Sequence, residues 1–248
     1  MSIHLKNINK SYGKKQVLSD VNLEIKTNAF VMLKGVSGSG KSTLLSIIGG
    51  IEPMSSGEVV IDGQDVSGLK GAARADFYRH KVGFIFQGFY LQPQLTIAEN
   101  IALMGTFAGV PKQERRERAE KLAEDLGIVE VLDRLPAEVS GGQAERACAA
   151  RALFMNPEII LADEPTNNLD PENAKNVIEM LQKIWQDTNT TMIVASHDPM
   201  VEAYASQVIS VKEGKVRSEE KTQEVAENVA VTEEIDAAPA AEFAEPEV

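Results

Sequence analysis

The chain carries one cysteine in 248 residues. That excludes an internal disulfide framework and fits a reducing compartment. The residue, Cys148, falls in an Ala-rich helical stretch and reads as a small core side chain rather than a nucleophile. No apolar run approaches the roughly 18–20 residues of a membrane-spanning helix, and no basic-then-apolar leader opens the chain. Aromatic residues make up 5% and hydrophobic residues 43%, ordinary for a soluble α/β protein with surface to bury in one large domain or two small ones. There is no internal repeat. Positive charge is also short, with a net charge of −12. Ten acidic residues and one basic residue lie in 218–248, which leaves residues 1–217 near −3. The body is therefore close to neutral, which disfavours a sequence-independent nucleic-acid surface. Segment 218–248 is rich in Glu, Ala, Val and Pro, has Phe243 as its one aromatic, and lacks a core pattern. It reads as a mostly disordered acidic extension, with a transient helix over Glu219 to Val231. Its plain role is solubilising; the alternative is a docking or regulatory segment.

What the chain does have is Gly35-Val36-Ser37-Gly38-Ser39-Gly40-Lys41-Ser42. It satisfies G-x-x-x-x-G-K-[ST] at every fixed position. Phe30-Val31-Met32-Leu33 before it reads as a buried strand, and Thr43 to Ile48 after it as a helix beginning near Lys41. Glycines let the backbone curl round an anion with its amides pointing inward. The helix start adds unpaired N–H groups and the positive end of its dipole. Lys41 then reaches the β- and γ-phosphates, and the Ser42 hydroxyl ligates Mg²⁺. A plain Gly/Ser-rich turn is the bland alternative, and the flanking strand and helix outweigh it. The segment predicts a nucleoside triphosphate site.

Around this motif the chain alternates strands and helices. Ile3, Leu5 and Ile8, then Val17, Val21, Leu23 and Ile25, mark two strands separated by the turn Ser11-Tyr12-Gly13-Lys14. The helix after the phosphate loop stops at Gly49-Gly50, with Pro53 beyond. Glu58 to Ile61 reads as a short strand with a turn at Asp62-Gly63, and Val82 to Phe86 as a buried strand that delivers Gln87. From about 90 to 140 the texture becomes helical: Thr96 to Phe107, then a charged helix from Pro111 to Leu126 closed by Gly127. A helix from Gly142 to Leu153 follows. Next come a strand Ile159 to Ala162, a helix Pro171 to Gln186, a strand Thr191 to Ala195, and a last strand Val208 to Val211 before a turn at Gly214. The reading is an α/β sheet domain with a helical insertion.

Four hydrophobics end in Asp163-Glu164. A buried strand of this kind delivers a carboxylate to Mg²⁺, and the next carboxylate is placed to polarise a water in line with the γ-phosphate. Two adjacent acids are often only a solvated strand end, but the apolar run before them favours the site reading. Ser140-Gly141-Gly142-Gln143 opens a helix as a second anion nest without a lysine of its own. Two nests serve one phosphate only if they face each other, most simply across two subunits.

With these motifs in order, residues 1–217 resemble the nucleotide-binding ATPase subunit of an ABC transporter. The resemblance rests on Tyr12, the phosphate loop, Gln87, Val139-Ser140-Gly141-Gly142-Gln143, Asp163-Glu164, Asn168-Leu169-Asp170 and His197. Phe84 to Pro93 and Asp163 to Asp170 are similar to the lipoprotein-releasing, macrolide-export and cell-division ATPases. The resemblance implies an α/β P-loop NTPase of the ABC ATPase fold. This has a central sheet core, an antiparallel β subdomain, and an inserted helical subdomain over about 90–155. It implies that Tyr12 stacks on adenine and that Gly35 to Thr43 cradle the phosphates of ATP. Gln87 senses γ-phosphate and metal, so that Ser42, Gln87 and Asp163 are the Mg²⁺ group. Ser140, Gly141 and Gly142 close on ATP bound to the other subunit. Glu164 is the general base, with Lys41 and His197 on the γ-phosphate. His4 and His80 match no motif and read as surface residues.

The sequence departs from the family at Glu145, where Gln is usual, at Cys148, and at Asn168. None of these removes a phosphate, metal or water-activating group. The implied partners are a second ATPase subunit, head to tail in a homodimer, and a separate multi-span membrane subunit. Gln87 to Gln94, with the apolar Phe89, Tyr90 and Leu91, form the expected docking surface. The expected location is cytoplasmic, peripheral on the inner face of the cell membrane, with no nucleic acid. The leading reading is powering of a transporter; the rivals are a non-transporting membrane regulator of the cell-division type and a soluble ABC ATPase acting on DNA or ribosomes.

Overall fold

Three short strands, β3 (Phe30–Lys34), β7 (Ile159–Asp163) and β8 (Thr191–Ser196), are apolar along most of their length. The computed structural model, which describes residues 2–167 and 169–220, gives the reason. These strands lie inside a six-stranded sheet of order β10-β9-β3-β8-β7-β6, with β6 at Val82–Ile85, β9 at Gln207–Lys212 and β10 at Lys215–Glu220. All pairings are parallel except β10 with β9. A parallel sheet is covered on both faces, so alternate residues serve two different cores and the run reads as continuously hydrophobic.

One face, carrying Val31, Leu33, Ile159, Leu161, Ile193 and Ala195, packs with α1 (Lys41–Ile48) and with a four-stranded antiparallel sheet. That sheet has the order β2-β1-β4-β5, formed by β1 (Ile3–Tyr12), β2 (Lys15–Ile25), β4 (Ser56–Ile61) and β5 (Gln64–Asp65). The other face, carrying Phe30, Met32, Ile160, Ala162, Met192 and Val194, is covered by α7 (Pro171–Thr188) and α8 (Pro199–Tyr204). A third core belongs to the helical insertion: α3 (Ile97–Ile101), α4 (Leu103–Phe107), α5 (Lys112–Asp125) and α6 (Gly141–Leu153). Within it the charged α5 contributes only Ala119 and Ala123 as fully buried residues, and of its charged side chains Arg118 turns inward over the Phe154 ring.

Several boundaries differ from the sequence reading. The helical segment after Thr96 breaks at Ala102 into α3 and α4. Pro111 is the N-cap of α5 rather than a first-turn residue, and α6 begins at Gly141. A helix α2 (Gly71–Lys81) was not anticipated. None of its residues is fully buried, and it is tied down by Tyr78 over Gly50 and by an Arg74 Nη2 bond of 2.8 Å to the Gly50 carbonyl. The strand β10 was also missed; it carries the sheet to Glu220, so Glu219 and Glu220 extend along β9 rather than opening a helix. His4 is half-buried on β1 beside Ser2, while His80 is exposed as expected. Asn168, the rest of the anticipated helix over 219–231, and the acidic extension beyond 220, Phe243 included, lie outside the described residues.

Candidate functional site

Parallel pairing sets β3, β8, β7 and β6 side by side, so their carboxyl ends share one edge of the sheet. That edge is where such sheets bind ligands. β3 runs into the phosphate loop, β7 into Asp163-Glu164, β8 into Ser196-His197 and β6 into Gln87. Segments far apart in the chain thereby meet in one place.

The loop needs its glycines for stated reasons. Gly38 has φ +77° and Gly40 φ +110°. A Cβ on Gly40 would lie 2.9 Å from Leu18 Cδ2, and one on Gly35 would lie 2.4 Å from the Val211 carbonyl. Gly40 is the N-cap of α1, where no side chain caps the helix and no acidic residue occupies the first turn. Those first-turn N–H groups are thus a ready anion site. Ser39 Oγ, beside Gly35, is buried without a hydrogen-bond partner.

Lys41 is 4% exposed. Its ammonium donates to the Gly35 carbonyl at 2.8 Å and pairs with Glu164 Oε1 at 3.0 Å. The other Glu164 oxygen lies 2.8 Å from His197 Nδ1. Glu164 itself sits at φ +46°, a costly conformation for a residue with a side chain, and its N–H donates to the Ala195 carbonyl at 2.8 Å. The turn after β7 is therefore locked onto the end of β8, which aims Glu164 between Lys41 and His197. Behind this cluster the Ser42 hydroxyl donates to Asp163 Oδ1 at 2.9 Å. Burial pushes the Asp163 carboxyl above the usual aspartate range, against the lowering effect of that hydrogen bond, and Glu164 adds to the rise. A cation beside this pair would offset the burial.

These residues line a cavity of about 510 Å³. Of the residues singled out from the sequence, Tyr12, Ser37, Gly38, Gly40, Lys41, Ser42, Thr43, Gln87, Glu164 and His197 border it. Gly35, Val36, Ser39 and Asp163 do not line it: Val36 is exposed to solvent, Ser39 is buried, and Gly35 and Asp163 bond directly to Lys41 and Ser42. Lys15, Val17 and Asn167 also line it and were not singled out. Asn167 had a signal, since it follows Asp163-Glu164 by a few residues; Lys15 and Val17 arrive through the β1–β2 hairpin and had none. Tyr12 is 49% exposed at the cavity mouth. A larger groove of about 1070 Å³ between α5 and α7 contains none of the motif residues.

Ser140, Gly141 and Gly142 do not reach the cavity. They are exposed at the start of α6, where Ser140 Oγ accepts from the Gln143 amide and the Gln143 side chain accepts from the Ser140 amide. Farther along α6, Arg151 donates to the Tyr90 carbonyl at 2.8 Å and to the Phe89 carbonyl at 3.1 Å, and Cys148 Sγ donates to the same Phe89 carbonyl at 2.8 Å. Burial pushes the Cys148 thiol up to about 11, as expected of a core thiol. Arg151 was not singled out from the sequence.

The ABC transporter family pattern matches residues 18–167 of the chain. The chain belongs to the ABC transporter ATP-binding family. This ABC ATPase is 39% identical over 214 residues to the bacitracin export ATP-binding protein BceA of Halalkalibacterium halodurans, covering 85% of each chain. It is 42% identical over 227 residues to the macrolide export ATP-binding/permease protein MacB of Campylobacter jejuni, covering 92% of this chain and 35% of that protein. It therefore spans about a third of the length of that relative. Among solved structures it is similar to the ATP-binding cassette MJ0796, seen as a dimer in a post-hydrolysis state bound to ADP and Pi. That match has a TM-score of 0.80 and 38% identity, over 88% of this chain and 98% of that one. The α/β fold of this ABC ATPase, with its mixed sheets and helices, is the expected one. Among the described residues no helix is long and apolar enough to cross a membrane.

Proposed function

We propose that this ABC ATPase hydrolyses ATP as a head-to-tail dimer and thereby drives a separate membrane partner. One observation carries the reading. The sheet edge gathers Lys41, Gln87, Glu164 and His197 around one cavity, while the second nest, Ser140 to Gly142, stays exposed and out of reach in the same chain. In this reading a second copy completes the site; the dimer reported for the similar MJ0796 cassette supports it.

In this reading the amides of Gly35 to Thr43 and the Lys41 ammonium hold the phosphates, and Tyr12 stacks on the adenine. Lys41 exchanges the Glu164 carboxylate for phosphate oxygens, which frees Glu164 to accept a proton from the attacking water. His197, 2.8 Å from that carboxylate, orients it and meets the γ-phosphate. Ser42, Asp163 and Gln87 would hold Mg²⁺, which supplies positive charge on the phosphate oxygens. Among the described residues no three His, Cys, Asp or Glu side chains cluster as a metal cage. Such a set fits a cation held jointly with a nucleotide. Each subunit's Ser140, Gly141 and Gly142 close on the ATP of the other.

The partner surface is Phe86, Phe89 and Tyr90, exposed aromatics at the end of β6. Tyr90 is 70% exposed and at φ +42°, a conformation a loop keeps only when held. The likeness to bacitracin and macrolide export proteins supports powering of a transporter, and with it a position at the cytoplasmic face of the membrane. The acidic extension is taken as a solubilising segment. Phosphate release from ATP by the purified chain tests the chemistry: Glu164→Gln lowers turnover by about 10²–10⁴-fold, whereas unchanged turnover removes Glu164 as the base.

A further inference from the structure

The ring of Tyr12 does not stand alone. Lys10, two residues earlier on β1, is 6% exposed. Its ammonium lies 4.6 Å from the centroid of the Tyr12 ring. It also pairs with the Glu52 carboxylate and donates to the Pro53 carbonyl at 2.6 Å. An ammonium has three donors and no acceptor, and here it meets a carboxylate, a carbonyl and a π face. The Lys10 hydrogen bond holds the Glu52 carboxyl below the usual glutamate range, with the Tyr12 hydroxyl as the smallest contributor. Segment 52–55 is in turn fixed to β1, through Ser55 N to the Asn9 carbonyl at 2.8 Å and Ser11 N to Ser55 Oγ at 3.0 Å. Tyr12 lines the nucleotide cavity and Lys10 does not. The ring is thus what the cavity sees of the cluster.

We infer that Lys10 and Glu52 form a positioning clasp that pre-orients Tyr12 for the nucleotide base. This rests on the reading that Tyr12 stacks on adenine. The effect is one of order. An aromatic side chain at a cavity mouth loses rotamer freedom when a base lands on it. A cation fixed against the ring removes that freedom beforehand, and its attraction to the ring is strengthened by its burial. Lys10 and Glu52 touch neither phosphate nor reacting atoms, so they act on affinity for the base and not on turnover.

The test compares ADP, which has a base, with inorganic pyrophosphate, which has none; both are measured as equilibrium dissociation constants on the full chain. Lys10→Met is expected to weaken ADP about tenfold and to leave pyrophosphate within about twofold. In a Tyr12→Ala background the same substitution should cause no further loss. Glu52→Gln, at a partly exposed position, should give a smaller loss of the same base-dependent kind and serves if Lys10→Met fails to fold. Equal losses for ADP and pyrophosphate, or an undiminished Lys10→Met effect in the Tyr12→Ala background, overturn the clasp. If Tyr12→Ala weakens ADP and neither Lys10→Met nor Glu52→Gln does, the clasp alone is wrong. If Tyr12→Ala leaves ADP binding unchanged, the stacking reading fails and the clasp with it.

Discussion

Arg151→Ala is expected to release the aromatic loop that follows β6. Two N–H groups of the Arg151 guanidinium hold the carbonyls of Phe89 and Tyr90, at 3.1 and 2.8 Å. Hydrogen bonds from charged groups contribute about 1.5–3 kcal/mol. Solvent at this site puts the pair together near about 2 kcal/mol by the same scale. On the Phe89 carbonyl what remains is the Cys148 bond, from a weak thiol donor. Tyr90 would then hold φ +42° with nothing on its carbonyl. A loss of about 2 kcal/mol raises the open population of the loop about thirtyfold. Chymotrypsin reads this directly, because Phe86, Phe89 and Tyr90 are exposed aromatics and cleavage of a transiently open segment tracks its open population. Cleavage after Phe89 and Tyr90, followed by mass spectrometry, should accelerate about thirtyfold by that conversion. Arg151→Lys should be intermediate. Unchanged cleavage at this loop, or an equal rise at every site, refutes the claim that Arg151 fixes it.

Two further outcomes follow from the same structure. Gly40→Ala places a methyl 2.9 Å from Leu18 Cδ2 at φ +110°; it should abolish ATP binding in a titration and lower the melting temperature, and retained affinity would contradict the tight-cradle geometry. Burial pushes the Glu145 carboxyl up to about 7 from 4.5. The folded state therefore binds the proton more tightly than the unfolded chain, and that stabilisation is full below about 4.5 and lost as pH rises through about 7. Glu145→Gln should flatten the stability profile over this window and melt higher than the parent at pH 7.5; an unaltered profile would count against it.

Much of this molecule was legible because its strands are buried on both faces. Val31 and Leu33 serve one core and Phe30 and Met32 the other, so the pattern was an unbroken apolar run ending in a motif. The same parallel sheet converts motif order into proximity, which is why Lys41, Gln87, Glu164 and His197, grouped by the family resemblance, border one cavity. The helix α2 was illegible because it has no fully buried residue and no apolar period. The strand β10 was illegible because its acidic end resembles the composition of the extension beyond it. Contacts made through backbone carbonyls leave no trace in residue types: Arg151 reaches Tyr90 across 61 positions. Lys10 likewise reaches Pro53 across 43, and nothing in either local sequence announces it. Asn167 was within reach of sequence reasoning, since the turn that locks Glu164 brings it to the cavity, where its backbone N–H donates to the Glu164 carbonyl at 3.1 Å.

The claim on which the account turns is that one chain's phosphate cavity is completed by Ser140 to Gly142 of a second copy. The most direct measurement is the molar mass in solution of the Glu164→Gln form, with and without ATP. The account predicts a monomer alone, a dimer with ATP, and loss of the dimer when Ser140 is also changed to Arg. A monomer throughout, with ATP shown to be bound, would contradict it.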